Sequence, residues 1–247
     1  MPEGDTIHRA AIRLRPALEG KPLVRIEARR ATGRPPRPGT VISAVEAQGK
    51  HLRVRFADGT TLRTHMRMTG SWHLYHSGER WRRPAHLARA VVEVDGWVAV
   101  CFAAPVVAFE RDDTATAHLG PDLTNVGLTD ADLDRAVGRL RSLDPSTEIG
   151  VALLDQRVAA GIGNVYKSEV LFACGINPLT HVGDVDDPTA RHVLATAAKL
   201  LRTSTRPGAV YRREGQPCRR CGTPIVRKRQ GEQARSTYWC PACQPRT

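Results

Sequence analysis

The chain opens Met1-Pro2-Glu3-Gly4-Asp5-Thr6-Ile7-His8, a stretch that offers amine chemistry. Methionine is removed when a small residue follows it, so the mature chain is expected to begin with the secondary amine of Pro2. With an α-amino pKa of about 7.7–8.0, roughly a tenth of that amine is neutral and nucleophilic at pH 7. Addition to a sugar aldehyde carbon, C1′ of a deoxyribose, gives an iminium. A secondary amine has no further proton to lose, so the adduct stays cationic and acts as an electron sink for eliminations. Glu3, next in line, is placed to deliver and accept protons. At the far end stand Cys218-x2-Cys221 and Cys240-x2-Cys243, with 18 residues between the pairs. Each pair sets two sulfurs on one tight turn, and the residues between form a hairpin that joins the pairs into a four-thiolate tetrahedral zinc site. Closed sites of this kind are structural, so the metal is expected to fold the hairpin and not to catalyse. Cys101 and Cys174 are read as buried thiols.

The elements that must position these residues change character along the chain. Pro2 and Glu3 alone also read as the opening of a helix capped by Asp5, with Ile7, Ala10, Ala11, Leu14 and Leu18 at helical spacing. Short alternating runs follow at Leu23–Ala28, Val41–Ala47, Leu52 to Phe56 and Thr61–Met68. A second hairpin comprises Ala90–Val94, Asp95-Gly96 and Trp97–Phe102. Strands separated by Asp-Gly turns predict an antiparallel sandwich or barrel over residues 1–115. From Thr129 the pattern is helical. Thr129 caps Asp130–Ser142, and Thr147 caps a helix carrying Ile149, Leu153 and Leu154. The turn Gly161-Ile162-Gly163 leads into a third helix from Asn164, and a fourth covers Pro188–Thr203. The expected fold class is therefore α+β and multidomain: a catalytic β-sandwich with a leading helix (1–115), a helical domain (125–205) and a cysteine module (206–247).

The formal charge of +12 and a pI near 10.1 point to a polyanionic partner. Residues 206–247 hold ten Lys and Arg against two Glu, so the cysteine module is the basic part. Arg227, Lys228, Arg229 and Arg235 lie between the cysteine pairs, where a rigid hairpin would hold them against phosphates. No apolar run approaches the ~20 residues that span a bilayer, and no signal-peptide pattern precedes the first helix. A soluble cytoplasmic protein is expected.

Three motifs occur in order. These are Pro2-Glu3-Gly4, the segment Leu154-Asp155-Gln156 through Gly161-Ile162-Gly163-Asn164-Val165-Tyr166 to Glu169-Val170-Leu171-Phe172, and the four-cysteine ribbon. Together they resemble the formamidopyrimidine-DNA glycosylase / endonuclease VIII family over essentially the whole chain. The resemblance implies an N-terminal β-sandwich, a helix-two-turn-helix domain and a zinc finger, with DNA held between the domains. It implies Pro2 as nucleophile, Glu3 as proton-transfer partner and Lys50, in Gln48-Gly49-Lys50-His51-Leu52, as a DNA contact beside the lesion. Asn164 and Arg235 become phosphate ligands, and Met68, in His65-Met66-Arg67-Met68-Thr69-Gly70, the apolar side chain that fills the gap left by an everted nucleotide. On residue type alone, Met68 reads equally as sandwich core. The Arg-Phe-Gly segment usual in formamidopyrimidine glycosylases is absent, and Phe109-Glu110-Arg111-Asp112-Asp113 stands in that region.

The activity so implied is that of a bifunctional DNA glycosylase/AP lyase with one structural zinc and no nucleotide cofactor. It is expected to act as a monomer on damaged double-stranded DNA, or on single-stranded or bubble DNA, in the bacterial nucleoid. The Pro-Glu-Gly opening favours the endonuclease VIII branch and oxidised pyrimidines. Asp5-Thr6, in place of a frequent Pro-Glu, keeps open the 8-oxoguanine/formamidopyrimidine branch, and a damaged-DNA-binding protein without catalysis is the alternative of another class.

Overall fold

A computed structural model describes residues 3–111, 114–203 and 207–246. Pro2 lies outside the described residues. The chain divides into two compact units, Met1–His118 and Leu119–Thr247.

The N-terminal unit begins with α1 (Gly4–Leu18). Its apolar residues fall three and four apart, so Ile7, Ala10, Ala11, Leu14 and Leu18 share one buried face. The cap is Glu3 and not Asp5: Glu3 takes an extended conformation and its carbonyl accepts from the N–H groups of Thr6 and Ile7. Asp5 instead lies buried in the first turn, where Nη2 of Arg9 donates to its Oδ2 at 2.5 Å.

Eight strands follow: β1 (Leu23–Ala28), β2 (Ile42–Gln48), β3 (His51–Phe56), β4 (Thr61–His65), β5 (Ser71–His76), β6 (Ala88–Val94), β7 (Trp97–Phe102) and β8 (Val106–Glu110). They form two antiparallel four-stranded sheets, ordered β1-β6-β7-β5 and β2-β3-β4-β8. Side chains alternate across each strand, so Leu52, Val54 and Phe56 of β3 join Leu14 of α1 and Val92 of β6 in one core between the sheets. The run expected to continue to Met68 stops at His65, because residues 66–70 form the turn by which the chain crosses from one sheet to the other. A one-turn helix, α2 (Thr114–Ala117), completes the unit and helps cover Arg53, only 2% exposed, whose Nη1 donates to Gln48 at 2.5 Å.

In the C-terminal unit, α3 (Asp130–Arg141) starts at Thr129 as expected. The Thr129 Oγ1 accepts from Asp132 N–H, and the Asp132 carboxylate accepts from Thr129 N–H, a reciprocal capping box. The next helix is a single turn, α4 (Ile149–Ala152), capped by Glu148 and not Thr147. Helix α5 (Asn164–Cys174) is buried continuously from Asn164 to Phe172 and ends at Gly175 in a left-handed conformation. Helix α6 (Asp187–Arg202) packs on α5, and the hairpin of β9 (Val226–Gln230) and β10 (Arg235–Trp239) follows. Among the described residues no helix is long and apolar enough to cross a membrane.

Candidate active site

Glu3 is fully buried at the first turn of α1. Side chains on the exposed flank of that helix, Thr6, Arg9 and Arg13, border a depression of about 300 Å³ whose other wall is Met66, Gly70, Ser71, Trp72 and His73. The N-terminal half of α1 therefore lies against the turn that carries Met68. That turn is held at three points. Gly70 N–H donates to Met66 O at 2.8 Å, Arg67 N–H to His65 Nδ1 at 3.2 Å, and Thr69 Oγ1 to Ala103 O at 3.1 Å. A Cβ at Gly70 would come within 2.7 Å of the Met66 backbone, so the tight return needs glycine. Met66 fills the core, whereas Met68 is 62% exposed at the tip.

Lys50 sits with Gly49 in the two-residue turn between β2 and β3, where Gly49 takes φ of 58°. His51 and His65 face each other across β3 and β4 with ring centroids 4.7 Å apart, edge to face. Burial, with His65 and Arg63 alongside, pushes His51 down to about 3. Burial and the charges of Lys50, Arg67 and Arg63 push His65 down to about 4. Both imidazoles are thus neutral at physiological pH. The His65 Nδ1 accepts the Arg67 amide, which leaves the proton of the neutral ring on Nε2. Arg63 holds Glu110 through two nitrogens, at 2.6 and 2.8 Å, and reaches His51 Nδ1 at 3.3 Å. Phe109 is a core residue of β8, so the aromatic of the segment standing in the Arg-Phe-Gly region is not available as a wedge.

In the C-terminal unit the four sulfurs of Cys218, Cys221, Cys240 and Cys243 lie within 4.8 Å of one another. The separations are 3.9 Å for Cys218 to Cys243 and 3.5 Å for Cys221 to both Cys240 and Cys243. A zinc ion with sulfur bonds of about 2.3 Å needs tetrahedron edges of about 3.8 Å, so this donor set fits the metal and leaves no open position. Backbone N–H groups of Arg220 and Cys243 point at the sulfurs of Cys218 and Cys240.

The residues ahead of α5 are shaped by Gln156. Its Nε2 donates to Leu154 O and Ile162 O, and its Oε1 accepts from Gly161 N–H. At the start of α5, Nδ2 of Asn164 donates to Ser236 O at 2.8 Å, bringing the helical turn to the residue beside Arg235. Arg235 is exposed and, among the described residues, bound only to Gln233, whereas Arg227 pairs with Glu214. Residue spacing carried no signal for the His51–Arg63–Glu110 group or for Glu169 of α5, whose buried carboxylate accepts from the N–H groups of Ala209, Val210 and Tyr211, because their partners are distant in the chain.

A β-sandwich, a helical module and a closed four-cysteine hairpin, in that order, define a class of zinc-finger proteins with a helix-two-turn-helix core. Three family models match in succession: the formamidopyrimidine-DNA glycosylase N-terminal domain over residues 1–105, the formamidopyrimidine-DNA glycosylase H2TH domain over 119–213, and the zinc finger found in FPG and IleRS over 215–246. The chain belongs to the formamidopyrimidine-DNA glycosylase / endonuclease VIII family. It is 39% identical to the DNA-(apurinic or apyrimidinic site) lyase Nei2 of Mycolicibacterium smegmatis, over 99% of both chains. With the formamidopyrimidine-DNA glycosylase of Phenylobacterium zucineum the identity is 30%, again over 99% of both. The Lactococcus lactis formamidopyrimidine-DNA glycosylase, solved bound to DNA containing an AP site, shares the fold with a TM-score of 0.83 at 21% identity, over 99% of this chain and 100% of that one.

Proposed function

We propose that the protein is a bifunctional DNA glycosylase/AP lyase of base excision repair that removes oxidised pyrimidines. The observation that carries this reading is the match to an AP lyase along the whole chain. A buried carboxylate, Glu3, directly following Pro2 supports the chemistry. In this mechanism the damaged nucleotide is everted, at a cost of a few kcal/mol that is smallest for a lesion that stacks poorly. The Pro2 nitrogen attacks C1′, the bond from C1′ to the base breaks, and Glu3 protonates the opening sugar oxygen. The resulting iminium draws the electrons of the C2′–H bond as that proton leaves, which expels the 3′ phosphate. A second elimination expels the 5′ phosphate.

Lys50, beside neutral His65, supplies a cation next to the everted nucleotide, and Met68 occupies the vacated space. Asn164 and Arg235 hold backbone phosphates and position the strand without reading sequence. The zinc shapes the hairpin that presents Arg235 and takes no part in the chemistry. The preference for oxidised pyrimidines rests on Gly4 after Pro2-Glu3 and on the higher identity to the Nei2 lyase than to the formamidopyrimidine glycosylase. The working compartment in this reading is the cytoplasm, on the nucleoid.

Borohydride trapping on a duplex with an abasic site, with Pro2→Gly as control, tests the reaction. A covalent complex that depends on Pro2 is expected. Tight binding with no trapped adduct would establish a damaged-DNA-binding protein without catalysis. Excision from duplexes bearing thymine glycol or 8-oxoguanine separates the two branches, and faster release of 8-oxoguanine would overturn the pyrimidine preference.

A further inference from the structure

In the N-terminal unit Arg9, Arg25, Arg55 and Arg63 all have carboxylate partners. The side chains of Arg29, Arg30 and Arg89 have none among the described residues, yet all three line one depression of about 290 Å³, together with the turn at residues 103–105 and Val107. Among the described residues no carboxylate lines it. The wall that carries Arg29 and Arg30 is rigid. Thr32 N–H donates to Val107 O at 3.3 Å, Phe109 N–H to Thr32 O at 2.8 Å, and Gly33 lies so close to β8 that a Cβ would fall 2.0 Å from Phe109 O. Arg30 and, across the depression, Ala103 take left-handed φ of 63° and 52°, a conformation side chains avoid unless the surroundings impose it. A preformed concavity with three guanidinium groups that have no carboxylate partner among the described residues is suited to the phosphates of a polyanion.

Its place selects which phosphates. The Met68 turn crosses from β4 to β5. Lys50 acts on His65 at the first leg, in one sheet, whereas Thr69 at the second leg is tied to Ala103, which lines the arginine depression. Within that sheet the turn of Lys50 lies beyond β3 on one side of β4, and β8, whose Val107 also lines the depression, lies on the other, so the two cationic groups flank β4 and the turn it leads into. We propose that Arg29, Arg30 and Arg89 form a clamp for the phosphates of the strand opposite the everted nucleotide. This rests on the glycosylase reading above. The tight connection at residues 103–105 offers neither an arginine nor an aromatic ring to insert into the duplex, and the clamp holds the second strand from its backbone instead.

The test uses the full chain with bound zinc and DNA carrying a tetrahydrofuran abasic analogue, as duplex and as single strand. Arg30→Gly removes the charge and suits the left-handed backbone, so its melting temperature equals or exceeds that of the parent. Arg29→Gln/Arg89→Gln is the second variant. Each is expected to bind duplex more weakly, to make the slope of log K against log salt shallower by about 0.9 for every phosphate no longer neutralised, and to lower the ratio of duplex to single-strand affinity. An unchanged duplex slope in both variants would overturn the clamp. Equal weakening on single strands would overturn it too, by placing the arginines on the lesion strand. A parent protein that does not prefer abasic to intact DNA would instead refute the glycosylase reading on which the clamp depends.

Discussion

Glu169 is only 2% exposed in the middle of α5, and its carboxylate gathers three backbone N–H groups of the segment leading to the zinc hairpin. Oε1 accepts from Val210 at 3.0 Å and Tyr211 at 2.7 Å, and Oε2 accepts from Ala209 at 2.8 Å. Glutamine preserves shape and one oxygen. In its better orientation it keeps the two bonds at Oε1, loses the one at Oε2 and sets its own N–H against that of Ala209. Losing one charge-assisted hydrogen bond costs about 1.5–3 kcal/mol. Alanine loses all three, but only Val210 is fully buried, and the Ala209 and Tyr211 amides recover part of their loss from water. The cost of Glu169→Ala is then about 4 kcal/mol, less than three times the single bond. Urea denaturation followed by far-ultraviolet circular dichroism, at saturating zinc, reads the helices of this unit. With m of about 1–3 kcal/mol/M, Glu169→Gln should lower the midpoint by on the order of 1 M and Glu169→Ala by more. A glutamine variant within about 0.5 kcal/mol of the parent, the ordinary range for a surface substitution, would refute the clasp. A glutamine variant as unstable as alanine would refute the division of the bonds between the two oxygens.

Removing the metal tests the closed site: the core of the hairpin is Phe172, Val210, Ile225 and two of the cysteines themselves, so it has little else to fold around. A strong chelator, or Cys240→Ser, should abolish damaged-duplex binding and shift Trp239 emission to the red, and a metal-free protein with parental affinity would contradict this. Acid should also weaken the N-terminal unit. His51 and His65 are depressed to about 3 and about 4, below the unfolded value near 6.5, so folding favours their neutral forms. The stabilisation is complete above pH 6.5 and is lost as pH falls through 6.5 towards 4. The parent should therefore lose stability over that window more steeply than His51→Gln/His65→Gln, and parallel pH profiles would sink the assignment.

Elements with their own local signals were legible in the sequence: α1 from its apolar spacing, the β6–β7 hairpin from Asp95-Gly96, α3 from Thr129, and the metal site from two short cysteine spacings. Elements defined by distant partners were not. Strands β5 and β8 pair with β7 and β4 across gaps that no local pattern marks, and β5 also follows directly on a run whose alternation continues that of β4. Arg53 alternates with Leu52 and Val54 as a solvent-facing residue would, yet α2 helps bury it. The choice between Met66 and Met68 likewise depends on a turn: two methionines two residues apart have the same composition and opposite environments. Glu148, and not Thr147, caps α4 because the chain is turned there by a bridge to His181, 33 positions away.

The zinc hairpin is fastened largely through its main chain. Asn164 binds Ser236 O, Ser168 Oγ accepts from Tyr238 N–H, Asn177 binds Gln244 O, and the buried Gln244 side chain joins Ile176 O to Cys240 N–H. Bonds of this kind are indifferent to which side chains the hairpin carries on its outer face. Arg227 and Lys228 add only surface ion pairs, with Glu214 and Glu148, so these two together with Arg229 and Arg235 can drift, be exchanged or be redesigned at little cost to the module, provided the strand path and the four thiolates are kept. A lineage can thus retune how it meets its polyanion one residue at a time, on a mount that the changes do not disturb.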